Sequence, residues 1–235
     1  MIGRTFDVMK RFRELATPLV ADAVILLGLP AKIAPSGIRP LVAGSKFAGP
    51  AAPVVLSGYA DRVLEGIYRS NEGDVLVLDN KGRSDEACFG DLAAYEARSQ
   101  GLVGAVVWGR HRDSTELEEI GVPVFSYGTY PLGMQRTFAP VDDPFVRCQF
   151  GEATVERGEF VFADDDGIVF IPKEHIESVM DAAEKLRSSE QAQVERIRAG
   201  STLREQLEFD RYLEEKKNNP TLTLGEHMKK LGRHF

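Results

Sequence analysis

Asp91 and the adjacent pair Arg112-Asp113, separated by twenty intervening residues, are the groups in this chain best placed to do chemistry. Around the first, Cys88-Phe89-Gly90-Asp91-Leu92-Ala93 reads as a glycine turn opening a short helix, whose unpaired N–H groups favour an anion. At the second, Gly109-Arg110-His111-Arg112-Asp113 ends in a new helix start, Ser114-Thr115-Glu116-Leu117. An arginine offers a planar, permanently charged donor to a developing oxyanion. A single aspartate beside it is enough for magnesium, which keeps several waters and often takes only one or two protein carboxylates. The bland alternatives are a turn carrying a surface ion pair at Arg112-Asp113 and a simple helix cap at Asp91.

For these groups to meet, the elements between them must return the chain to one place. Residues 102–108 (Leu-Val-Gly-Ala-Val-Val-Trp) form an apolar run flanked by Gly101 and Gly109, which predicts a buried strand with Trp108 in the core. A strand, a helix and a strand in succession bring both turns to the same edge of a sheet. Upstream, residues 6–15 and 17–27 predict two helices, the second with Thr17 as N-cap and Pro18 at N1. Strands are expected over 47–56, 74–79 and 122–126, with a helix over 58–70. From 145 to 172, short segments alternate with turns at Gly151, Gly158 and Asp164-Asp165-Asp166-Gly167, a pattern of antiparallel β. The acidic turn lacks the distal Glu of a calcium loop and reads as a hairpin. Beyond Lys173 the chain becomes helical and charged, with helices expected over 175–199, 203–217 and 224–231. The domains expected are therefore residues 1–173 and a helical extension, 174–235.

With 235 residues, 43% of them hydrophobic, the chain can bury one substantial core with an appended segment. Thirty-six acidic against 29 basic residues give a net charge of −7, and the dispersed basic residues argue against a nucleic-acid partner. Cys88 and Cys148 have neither metal-ligand spacing nor a disulfide framework, which suits a reducing compartment, with the cytoplasm as the expectation. Thr17, Pro18 and Asp22 interrupt the apolar stretch near the N-terminus, so neither a signal peptide nor a membrane span is expected.

Taken together, these residues resemble the family named for the regulator of ribonuclease activity A, which includes the metal-dependent 4-hydroxy-4-methyl-2-oxoglutarate aldolases. The resemblance runs from about Thr17 to Pro172. It rests on Gly90-Asp91-Leu92-Ala93, then Gly109, Arg112-Asp113 and Glu116, supported by Asp22, Pro123-Val124-Phe125, Gly158 and Asp166-Gly167. It implies an α/β fold, a layered α/β/β arrangement like the swivelling phosphohistidine domain, assembled as a trimer or hexamer with sites between subunits. It implies cleavage of a 4-hydroxy-2-oxo acid to pyruvate with Mg2+ or Mn2+. By match, Arg112 grips the pyruvyl group, Asp113 holds the metal, and Asp91 orients a water. The backbone of Gly90, Asp91, Leu92 and Ala93 binds the carboxylate. A further Glu from a neighbouring subunit matches Glu190, with Glu195 second.

The chemistry is coherent with that resemblance. A 2-oxo acid chelates a metal through its carboxylate and keto oxygens, which polarises the carbonyl that becomes an enolate. Base and acid roles in the retro-aldol step fall to Asp91 and Glu190 through water. Oxaloacetate decarboxylation, which passes through the same enolate, is the expected side activity. This chain departs from the family pattern at Trp108, where an acid is frequent, and at Arg110-His111, where small or apolar residues are usual. The added charge would suit a dicarboxylate or tricarboxylate, or it faces solvent, and His111 is read either as facing substrate or as an exposed turn residue. A second class of function is a non-catalytic regulator binding a ribonuclease or other protein through an acidic surface. A nucleoside-cofactor methyltransferase is excluded, because no glycine-rich loop follows an early strand with an acid after the next one.

Overall fold

The computed structural model describes the backbone of residues 2–56, 60–135 and 141–232. Two helices open the chain, α1 (Ile2–Phe12) and α2 (Thr17–Leu26), followed by short strands β1 (Lys32–Ile33) and β2 (Arg39–Pro40). Strand β3 (Phe47–Val55) then begins a run of alternating elements: α3 (Ala60–Tyr68), β4 (Val75–Asp79), β5 (Ala87–Phe89), α4 (Asp91–Ser99), β6 (Gly104–Trp108), β7 (Arg110–His111), α5 (Ser114–Ile120) and β8 (Val124–Ser126). Two hairpins follow, β9 (Arg147–Phe150) with β10 (Ala153–Glu156), and β11 (Phe160–Asp164) with β12 (Gly167–Ile171). Gly58, where the sequence starts its helix, lies outside the described residues.

The main sheet has eight strands in the order β1-β12-β11-β3-β4-β6-β8-β2. Its two edge strands, β1 and β2, are joined by residues 34–38 alone, and so short a linker spans at most about 20 Å, so the sheet must curl. Strand β3 is the hinge of that curl. Residues 47–50 pair antiparallel with β11, and residues 51–55 pair parallel with β4. Pro50, which has no N–H to give, sits where the partner changes.

Alternation along the strands sorts the core into two faces. Leu76, Leu78, Ala105 and Val107 pack with Val63, Ile67, Ala94, Ala97, Leu117 and Ile120 of α3, α4 and α5. Val75, Val77 and Val106 face the other way, against Cys148, Phe150 and Val155 of the β9–β10 hairpin. At about 1.5–3 kcal/mol for each large side chain fully removed from water, these two faces hold the three layers together. The result is the layered α/β/β arrangement, and it leaves the starts of α4 and α5 where parallel strands end. Both cysteines are free and buried.

Two local expectations are corrected. Ala16, not Thr17, occupies the N-cap of α2, because the Thr17 N–H and hydroxyl both donate to the Asp164 carboxylate, at 2.8 and 2.5 Å. The acidic turn is thus a hairpin whose charges serve backbone and helix-end N–H groups: Asp165 also accepts from Gly44 N–H at 2.9 Å. Trp108 is half-buried, not core; its indole lies against Gly82.

A single 3-10 turn (Lys173–His175) leads into α6 (Ile176–Arg198), then α7 (Leu203–Gln206), α8 (Phe209–Asn218) and α9 (Leu224–Lys230). Contacts divide the chain into two compact units, Met1–Met180 and Asp181–Phe235, with the boundary inside α6. In the second unit, the single helix expected over 203–217 is broken at Glu208, whose φ is 47°. Tertiary contacts override the helical pattern there. The His227 ring donates through Nε2 to the Leu207 carbonyl at 3.1 Å and lies 5.6 Å from the Tyr212 ring, so both segments serve one small core.

Candidate active site

Strands β5 and β7 pair in parallel, Ala87 with Arg110 and Phe89 with His111, and the Arg112 N–H donates to the Phe89 carbonyl at 2.9 Å. This knits the two turns singled out in the sequence into one surface. Gly90 caps α4 in an extended conformation (φ −149°, ψ −170°) that any residue could adopt, so its value is space rather than flexibility. A Cβ there would lie 2.5 Å from Asp113 Oδ2 and 3.2 Å from Arg112 Cγ. Gly133 gives room in the same way, since a Cβ on it would stand 2.8 Å from an Arg112 guanidinium nitrogen.

Asp113 is the strained member. It occupies the N-cap of α5 with φ 59° and ψ 46°, in the left-handed region that costs a non-glycine residue about 1–2 kcal/mol. Its carboxylate makes no capping bond to its own helix. Instead Oδ2 lies 3.4 Å from the Asp91 N–H at the start of α4 and 3.3 Å from Arg112 Nε. The helix dipole of α4 and the guanidinium both favour negative charge at that point. Asp91 turns its own Oδ1 to the Leu92 N–H at 2.7 Å.

An open cleft of about 490 Å3 runs from Gly90, Asp91, Leu92, Ala93 and Arg112 to an apolar wall that includes Val63, Leu64, Leu132 and Met134. Arg112 is about half exposed and available to a ligand. Among the described residues, no three His, Cys, Asp or Glu side chains gather as a closed metal site. The donor set here is one half-exposed carboxylate beside a guanidinium and a helix start. That set fits a hard, oxygen-seeking Mg2+ or Mn2+ completed by water and ligand oxygens, and does not fit a closed zinc site.

Six of the residues drawn from the sequence are therefore brought together: Gly90, Asp91, Leu92, Ala93, Arg112 and Asp113. Glu116 is exposed on the first turn of α5. Glu190 and Glu195 are exposed on α6 in the second unit, where Glu195 pairs with Arg198 at 2.8 Å. Neither Arg110 nor His111 lines the cleft, and His111, expected to face substrate or to sit exposed in a turn, is buried instead. Arg110 donates to the carbonyls of Tyr127 and Thr129, at 3.1 and 3.3 Å. His111 is only 3% exposed; burial foremost, then Arg110, lowers its pKa, with Asp113 opposing. Sequence reasoning missed its two serine partners, Ser114 and Ser126, and the cleft wall at Leu132 and Met134.

The fold and this site define a class: layered α/β/β proteins with a helix start facing an Arg-Asp turn. The chain belongs to the RraA-like family (Aldolase/RraA), whose model matches residues 17–170. A protein of Halalkalibacterium halodurans, provisionally named 4-hydroxy-4-methyl-2-oxoglutarate aldolase, is 32% identical over 187 residues, covering 79% of this chain and 86% of that protein. One from Halorhodospira halophila with the same provisional name is 34% identical over 130 residues, 55% of this chain and 78% of that one. Among solved structures, Streptomyces coelicolor RraAS2, described as an unusual member of the RNase ES inhibitor RraA protein family, superposes with a TM-score of 0.70 at 26% identity. It covers 80% of this chain and 95% of its own.

Proposed function

We propose that this chain is a divalent-metal-dependent aldolase that cleaves a 4-hydroxy-2-oxo acid of the 4-hydroxy-4-methyl-2-oxoglutarate kind to pyruvate. The observation that carries the reading is Asp113, whose carboxylate leaves its own helix and meets the start of α4 beside Arg112. When bound at Asp113, Mg2+ or Mn2+ would supply Lewis-acid polarisation of the substrate's keto group. The substrate carboxylate binds at the start of α4, from Asp91 to Ala93, in exchange for the contacts that the Asp91 and Leu92 N–H groups make with the Asp113 and Asp91 carboxylates, and Arg112 donates to the oxyanion that develops at C2. As the C3–C4 bond breaks, its electron pair forms the enolate of pyruvate and the C4 hydroxyl loses its proton to become a carbonyl. Asp91 acts through a water in that proton transfer. Protonation of C3 then completes pyruvate, a role we assign to an acid from a neighbouring copy, Glu190 first and Glu195 second.

The same reading makes the protein a trimer or hexamer in the cytoplasm, with oxaloacetate decarboxylation as a side activity. Leu92, 74% exposed, and Leu132, 49% exposed, flank the cleft with Tyr95 one helical turn beyond, an apolar rim suited to a second copy. Among the described residues, no helix is long and apolar enough to cross a membrane. The test is pyruvate release from a panel of 4-hydroxy-2-oxo acids and oxaloacetate, coupled to lactate dehydrogenase, with Mg2+ or Mn2+ and with EDTA. Release that EDTA abolishes is expected. The description of the Streptomyces relative favours a second reading, a non-catalytic regulator that binds a ribonuclease. No release from any member, together with inhibition of a ribonuclease, would replace the first reading by the second.

A further inference from the structure

The buried imidazole of His111 touches neither the cleft nor solvent, yet both of its nitrogens are engaged. Nδ1 lies 2.7 Å from Ser126 Oγ at the end of β8, and Nε2 lies 3.1 Å from Ser114 Oγ at the first residue of α5. Around it the backbone is bonded on both sides. The His111 N–H donates to the Gly128 carbonyl at 3.1 Å, and its carbonyl accepts from the Tyr130 N–H at 2.8 Å. Ser126 Oγ is itself fixed by the Gly128 N–H at 2.8 Å. The imidazole is therefore a strut between a strand end and a helix start, and Asp113 is the joint beside that helix start.

A left-handed aspartate persists only where its surroundings over-determine it. The Asp113 carboxylate is held from outside its own helix, by the Asp91 N–H at 3.4 Å and Arg112 Nε at 3.3 Å, and its backbone is fixed from its two flanks. On one flank Arg112 is tied to Phe89; on the other, the Asp113 carbonyl accepts the Leu117 N–H at 2.9 Å and Ser114 is tied to His111. We infer that His111 is a positioning residue: through Ser114 and Ser126 it holds Asp113 in the left-handed conformation and so aims the Asp113 carboxylate at the start of α4. The metal and catalytic part of this inference rests on the proposed function; the conformational part does not.

Three variants test it. His111→Phe keeps the bulk and removes both polar contacts, His111→Gln restores a donor and acceptor toward Ser114, and Ser114→Ala deletes one hydroxyl from a half-buried position. Two measurements are made on each folded protein: the Asp113 Cα and amide NMR shifts, which report its backbone conformation without metal, and Mn2+ affinity by electron paramagnetic resonance. His111→Phe is expected to move the Asp113 shifts and weaken Mn2+ binding about tenfold, the scale on which partners of metal ligands act. Ser114→Ala should do so less, and His111→Gln should recover most of the loss. Unmoved Asp113 shifts in His111→Phe, with lowered thermal stability alone, would overturn the inference and leave a mere core histidine. A wild type that neither binds Mn2+ nor releases pyruvate, while His111→Phe still moves the Asp113 shifts, would sink the aldolase reading and support the positioning role.

Discussion

Helices α4 and α5 both start near a parallel strand end and beside an aspartate, yet Gly90 enters α4 extended (φ −149°) whereas Asp113 enters α5 left-handed (φ 59°). The relaxed start supplies N–H groups and an empty space; the strained one supplies the carboxylate that fills it. A cap residue chosen for helix stability would accept from its own helix, as Thr202 and Thr223 do in capping boxes of the second unit. Asp113 instead serves the neighbouring helix. Glu208 enters α8 left-handed as well, but there the bend serves a small core, whereas at Asp113 it turns a carboxylate toward another helix start, which under the proposed function is the metal-holding group.

The largest effect expected from breaking this comparison is at the strained side. Asp113→Ala should abolish metal-dependent pyruvate release while leaving the circular dichroism spectrum unchanged, because a half-exposed turn carboxylate contributes little to folding. A fully active, EDTA-sensitive variant would contradict it. Arg112→Lys keeps the charge and loses the planar fork, so kcat/KM should fall on the order of a hundredfold. An unchanged rate would place Arg112 outside the site. On the relaxed side, Gly90→Ala puts a Cβ 2.5 Å from Asp113 Oδ2, and displacing that oxygen should cost on the order of tenfold to a hundredfold in turnover. Equal activity in Gly90→Ala would show that the close approach is incidental. The smallest of these signals comes from mixing inactive Arg112→Ala and Glu190→Ala subunits after dissociation and reassembly. Roughly a quarter of the interfaces in a random trimer are then wholly wild type, and partial recovery of pyruvate release follows if the acid comes from a neighbour. No recovery despite proven subunit exchange would remove Glu190, and the same mixture made with Glu195→Ala would test the second candidate.

Much of this was legible in the chain itself. The apolar run ending at Trp108, a glycine on each side and two helix starts were enough to place Asp91 near Arg112 and Asp113, because strand–helix–strand order leaves few alternatives. Contacts that depend on residues far along the chain were not. Nothing local to Thr17 announces that Asp164 will take both its donors, and a histidine before an Arg-Asp turn gives no sign that Ser126, on another strand, will hold it buried. The break at Glu208 belongs to the same group: the periodicity of 203–217 is helical, and only the demand of His227 and Tyr212 for a common core divides it.

Whether the left-handed backbone at Asp113 serves its carboxylate is decided by Asp113→Gly. Glycine accepts φ 59° without strain, and the ion pair lost with Arg112 is exposed enough to be worth little. The glycine variant should melt at or above the wild-type temperature and about 2–8 °C above Asp113→Ala, which keeps the strain. It should release no pyruvate. A glycine variant that melts well below wild type, or that retains metal-dependent pyruvate release, would show that the strain at Asp113 does not serve its carboxylate.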